Sequence, residues 1–119
     1  MKDGFVKVAA AIPELRVADC VFNADKTIEL AKEAAKEGAA VIVFPELGIT
    51  GYTCQDLFFH NTLFAAAERE AARIAAETQD LESLIFIGLP LYHLGKIYNA
   101  TEKQTVAYKV FIINLFPLI

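Results

Sequence analysis

Glu46 is the side chain whose surroundings most favour chemistry. It follows the apolar run AAVIVF, from Ala39 to Phe44, and then Pro45. Its carboxylate therefore emerges where a strand-like segment ends. Desolvation at such a place favours the protonated acid and raises its proton affinity into the range useful for a general base. A plain structural role suits the same position, with the carboxylate accepting N–H bonds from Gly48 to Thr50, and position along the chain leaves both readings open. The other reactive side chains offer less. Cys20 and Cys54 lack a CxxC spacing, and neither has a nearby His to activate a thiol or complete a zinc set. Cys20 reads as a small filler near a loop, and Cys54 as a loop thiol packed under the sheet edge. His60 and His93 each stand alone, without a second ligand at helical spacing, so solvated or capping roles are expected and no metal site. The charges of Glu68 to Arg73 pair at helical spacing and read as a solvated face.

Positioning Glu46 requires a sheet. FVKVAAAI, Phe5 to Ile12, stops at Pro13 and is expected to be a buried strand. Asn23 or Asp25 can cap a helix in which Ile28, Ala31, Ala34 and Ala35 recur on one face, with Gly38 marking its end. AAVIVF is continuously apolar and β-branched, the pattern of a strand covered on both faces. A polar, glycine-bearing loop, PELGITGYTCQD, leads to a second amphipathic helix opening near Asn61, with Phe64, Ala67, Ala71, Ile74 and Ala75 on its stripe. LIFIGLPLY, Leu84 to Tyr92, reads as another buried strand, and Gly95 suits a hairpin turn into Ile97 to Ala100. Strands alternating with amphipathic helices predict the α/β class and a largely parallel sheet with right-handed crossovers. TEKQT interrupts the expected last strand, and the tail VAYKVFIINLFPLI is apolar with no element to cover it.

Composition sets outer limits. At 119 residues, the chain can enclose one core but not two complete domains. Its 15 acidic residues outnumber 11 basic ones that are scattered singly, so no phosphate-neutralising stripe forms and nucleic-acid binding is not expected. A hydrophobic share of 55% excludes disorder. Two cysteines and no secretory apolar region point to a reducing, cytoplasmic setting. The most apolar stretch contains Lys109, Asn114 and Pro117 and is shorter than the ~20 residues of a membrane-spanning helix, so no membrane association is expected.

The string VIVFPELGITGYTCQDLF, Val41 to Phe58, resembles the nitrilase (carbon-nitrogen hydrolase) superfamily, whose members carry an FPE element after a buried strand and a GY later in the same loop. ITGYTCQDLF after PEL is similar to the N-terminal glutaminase (amidase) domains of bacterial glutamine-dependent NAD synthetases. The opening residues and IFIGLPLY followed by GKIYNA resemble the same domains, so the likeness runs from Met1 to about Ala100. The resemblance implies part of an α-β-β-α sandwich with glutamine as substrate. A Cys thiolate would attack the glutamine amide, a Glu would take and return the proton, and a Lys would stabilise the oxyanion. Glu46 matches the Glu. Tyr52 matches an aromatic lining the glutamine pocket, or else packs on the sheet as a half-buried loop residue. The family Lys lies in a KTFLPNY-like segment that KVFIINLFP does not reproduce, although Lys109 is the lysine nearest the expected distance. Cys54 falls outside the family triad.

The resemblance makes residues 1–119 an incomplete amidase domain, family-like to about residue 100 with an atypical apolar tail from 101 to 119. Without the nucleophile the chain is expected to be inactive alone. The ammonia-using partner would be an absent C-terminal synthetase domain, to which alone ATP and Mg are implied; no cofactor is expected in this domain. The alternative is a non-catalytic amidase-fold module that self-associates as a homo-oligomer through its apolar tail and bare sheet edge. A nucleotide-binding reading fails because no GxGxxG or GxxxxGK[ST] loop follows any expected strand.

Overall fold

A computed structural model of the protein describes residues 4–45, 47–51, 61–93, 96–104 and 110–117. The elements run β1 (Val8–Ala10), α1 (Cys20–Lys36), β2 (Val41–Val43), α2 (Asn61–Glu77), β3 (Leu84–His93), β4 (Lys96–Gln104) and β5 (Val110–Pro117). They build one five-stranded sheet in sequence order, β1-β2-β3-β4-β5. The first three strands are parallel and the last three antiparallel, a mixed α/β sheet of the expected class.

Each helix forms for the anticipated reason. In α1, Ala24, Ile28 and Ala31 recur on one stripe and are buried; in α2, Leu63, Phe64, Ala67, Ala71 and Ile74 do the same. Both stripes join Ile42 of β2 and Ile85, Ile87 and Leu89 of β3 in one core. The cap of α1 differs from the expectation. Asp19 is the N-cap, its carboxylate accepting from the Phe22 N–H at 3.0 Å, and Asn23 lies inside the helix. Gly38 closes the helix at φ 90°, with its N–H donating to the Ala35 carbonyl.

β2, expected to be buried on both faces, is buried on one. The register aligns Ala9, Ile42 and Ile85 in one cross-strand row, and Val8, Val41 and Leu84 in the next. Ile42 and Ile85 are fully buried, whereas Val8 is 66% and Val43 47% exposed. A strand order that never reverses explains this, because two crossovers of the same hand then place α1 and α2 on the same face, where they pack on each other. As an edge strand, β1 is the least covered, and Phe5 and Ile12 beside it are exposed.

The C-terminal part also departs from the expectation. TEKQ does not interrupt the strand, since β4 runs through Gln104. Pairing with β3 on one side and β5 on the other satisfies its backbone whatever the polarity of its side chains. The apolar tail forms β5, with a register shift at Thr101/Glu102, and Pro117 ends this edge strand where no further ladder donor is needed. The turn assigned to Gly95 lies outside the described residues, but the register closes on His93 opposite Lys96.

Candidate active site

Two loops meet beyond the carboxyl ends of β1 and β2, and a single buried side chain joins them. Asn23 has 0% exposure. Its Oδ1 accepts from the Arg16 N–H at 2.7 Å, and its Nδ2 donates to the carbonyls of Arg16 and Ile49, both at 2.8 Å. One residue of the first helical turn thus fixes the loop after β1 and the turn after β2. The Ala18 N–H adds a direct bond between the loops, donating to the Thr50 carbonyl at 2.7 Å. Above this junction the Phe22 ring is flanked by the Arg16 guanidinium, 3.9 Å from its centroid, and by the Lys26 ammonium at 5.6 Å.

The turn after β2 is held from several sides. The Phe44 N–H donates to Phe86 at 3.0 Å and the Ile49 N–H to Gly88 at 3.1 Å, anchoring it to β3. Within it, Gly48 N–H donates to Pro45 and Gly51 N–H to Leu47, at 3.1 and 2.8 Å. A Cβ on Gly48 would come within 3.0 Å of the Pro45 carbonyl oxygen, which is why this position takes glycine. Leu47 and Ala18, one in each loop, have φ of 53° and 60°, a left-handed conformation that costs non-glycine residues about 1–2 kcal/mol and persists only under surrounding constraint. Leu47, Ile49 and Thr50 are all buried. A shallow apolar hollow of about 370 Å³, lined by Ala10, Ala11, Ile12, Val43, Phe44 and Pro45, opens beside the turn.

Glu46, Tyr52, Cys54, His60 and Lys109 lie outside the described residues. The described turn still bears on Glu46. In the structural reading its carboxylate accepts from the amides of Gly48 to Thr50, yet the Gly48 and Ile49 amides already donate to the Pro45 and Gly88 carbonyls. Cys20 is buried in the core, as expected of a filler. His93 ends β3 at the hairpin. Among the described residues no cluster of His, Cys, Asp or Glu could hold a metal ion, and no helix is long and apolar enough to cross a membrane.

Asn23 is the residue that sequence reasoning assigned wrongly. Its signal was present: with Thr27 and Ala31 it repeats every four residues along the buried stripe, and a polar group on an apolar stripe needs partners from elsewhere. The charges of α2 are also more than a solvated face. Arg73 pairs with Glu70 and Glu77 on its own helix, and reaches α1 to meet the Asp25 carboxylate at 2.8 Å and the Val21 carbonyl at 3.2 Å. Glu70 is nearly buried, with 5% of its side chain exposed. Burial disfavours the Arg73 charge, but hydrogen bonds and attraction from Glu70 and Asp25 outweigh that and hold its guanidinium above the ordinary arginine range.

The model of the carbon-nitrogen hydrolase family matches residues 7–102. The chain belongs to that family. Over 96 residues it is 35% identical to a glutamine-dependent NAD(+) synthetase of Mycobacterium tuberculosis and 36% identical to that of Mycobacterium leprae, in each case 81% of this chain and 14% of the relative. The synthetase of Xylella fastidiosa is 32% identical over 99 residues, 82% of this chain and 18% of the relative. This carbon-nitrogen hydrolase chain therefore spans less than a fifth of these relatives. Solved structures agree on the fold: a glutamine-dependent NAD(+) synthetase from Cytophaga hutchinsonii superposes with a TM-score of 0.78 at 24% identity, covering 91% of this chain and 18% of that one. An amidase from Nesterenkonia sp. gives 0.68 at 21% identity, covering 86% and 40%.

Proposed function

We propose that this chain contributes the general-base part of a glutamine amidohydrolase site that supplies ammonia for NAD synthesis from deamido-NAD. The observation that carries the reading is the coincidence of the family match with a pinned turn. The FPEL segment follows the central parallel strand of a carbon-nitrogen hydrolase fold; backbone bonds on both sides of position 46 hold the turn to β3, and the Asn23 side-chain amide ties it to α1. That two of the amides needed to cap a carboxylate already have carbonyl acceptors also favours the base role.

In this reading Glu46 takes the proton of a cysteine thiol as sulfur bonds to the glutamine side-chain carbonyl carbon. It returns the proton to nitrogen as the C–N bond breaks and ammonia leaves, and it then activates the water that hydrolyses the thioester to glutamate. Tyr52 lines the glutamine pocket, and a lysine stabilises the tetrahedral oxyanion. Lys109 is the lysine nearest the expected distance, although its segment lacks the family order. Neither cysteine of the chain fits the nucleophile: Cys20 is sequestered in the core, and Cys54 follows Glu46 by only eight positions in the sequence. The 119 residues by themselves are accordingly inactive, and the ATP-using synthetase activity belongs to a separate domain.

The test is a graft. Residues 7–102 replace the matching segment of the Mycobacterium tuberculosis enzyme, and ammonia release from glutamine is measured for the graft, the graft with Glu46→Gln, and the 119-residue chain. Activity in the graft alone is expected. Glutamine turnover by the isolated chain, or an active Glu46→Gln graft, refutes the reading.

A second reading is favoured by the uncovered sheet face, where Val8 and Val43 are exposed, with Phe5 and Ile12 exposed in the segments flanking β1. There the chain is a self-associating module without catalysis, and a discrete dimer in light scattering with an inactive graft would support it.

A further inference from the structure

We infer that Asn23 is the positioning residue of the site: acting through the Ile49 carbonyl, it holds the turn that carries position 46 in register with the loop after β1. This rests on Glu46 being the base, but its geometric part stands on the described residues. Asn23 belongs to neither loop, is fully buried, and meets a backbone N–H and two carbonyls at 2.7–2.8 Å. A primary amide suits this set because one Nδ2 carries two donors for two carbonyls while Oδ1 accepts. A carboxylate of the same shape would face both carbonyls without a proton.

The position also matters. The turn is already tied to β3 by the Ile49 N–H, so Asn23 adds a hold from the helical layer at the same residue, through its carbonyl. Leu47 and Ala18 both keep left-handed backbones, and the Ala18–Thr50 bond lies beside the junction. Such conformations relax when their constraints go. Removing Asn23 would therefore release the turn locally while the sheet beneath stays paired. Thr27 supplies the control. One turn further along α1, it is also buried, and its hydroxyl donates to the Asn23 carbonyl without reaching either loop.

The experiment compares the full chain with Asn23→Ala, Asn23→Asp and Thr27→Ala by NMR. Asn23→Asp preserves the side-chain volume and the acceptor for Arg16 N–H, so it covers the case in which Asn23→Ala does not fold. Amide exchange at Ala18 and Ile49 is expected to be about tenfold faster in the Asn23 variants, the scale of one or two lost hydrogen bonds. The Leu84 amide, which bonds Ala40 at the opposite end of the sheet, should follow only global stability. The Glu46 carboxyl titration, followed by its side-chain 13C shift, should move in Asn23→Asp and not in Thr27→Ala. Uniform acceleration of all amides, or an unmoved Glu46 titration in a folded Asn23→Asp, overturns the inference. A wild-type Glu46 titrating at the ordinary ~4.3 while the exchange pattern holds would sink the base assignment and leave the junction standing.

Discussion

The side-chain amide of Asn23 donates to the Ile49 carbonyl across 26 positions of sequence, at 2.8 Å and out of contact with water. Through this bond the start of the first helix and the turn after the central strand become one rigid unit. In the proposed reading the FPEL motif supplies the base, and the described backbone on either side of position 46 is tied to β3 and to Asn23.

Replacing Glu46 by Gln in the active graft should lower the glutaminase rate by about 10²–10⁴-fold, the usual contribution of a positioned general base. Ammonia release under saturating glutamine measures it, and the stability of the chain should be unchanged.

Arg73→Ala should destabilise the chain by about 1–3 kcal/mol, because it leaves the nearly buried Glu70 without its main partner and breaks the bridge from α2 to Asp25 and Val21. Urea unfolding measures this. Since the folded state raises the Arg73 proton affinity, the contribution is complete below the ordinary arginine range and is lost only as pH rises above it. The difference between wild type and variant should therefore stay flat between about pH 6 and 9 as far as the arginine is concerned.

Ile42→Ala should cost about 2–5 kcal/mol, the range for emptying a fully buried aliphatic site. Val43 and Val8, on the opposite face of the sheet, behave differently: Val43→Thr and Val8→Thr should stay within about 0.5 kcal/mol. Equal losses at all three positions would mean that the sheet is covered on both faces.

Gly51→Ala should destabilise by about 1–2 kcal/mol, since Gly51 has φ 83° and an added Cβ would sit 3.4 Å from Val17 Cα. The loss should appear first as faster exchange at Ala18, whose amide bonds Thr50 next to it.

The residues legible beforehand were those whose roles are local. Ile28 and Ala31, or Ala67, Ala71 and Ile74, declare a buried helix stripe by spacing alone, and AAVIVF declares a strand by its branching. The FPEL motif likewise pointed to the carbon-nitrogen hydrolase family, which the match over residues 7–102 bears out. TEKQ misled because its polarity spoke against a strand, while two paired neighbours supplied what its side chains did not.

Periodicity and motif therefore determined the elements, their α/β order and the family likeness, because those depend on contacts a few residues apart. Tertiary structure alone decided that both helices share one face of the sheet, which leaves Val8 and Val43 in water. It also turned Asn23 from a helix cap into a junction. The reason is the same in both cases: a side chain shows the kind of partner it needs, but only the folded path of the chain brings Ile49 and Arg16 within 3 Å of it.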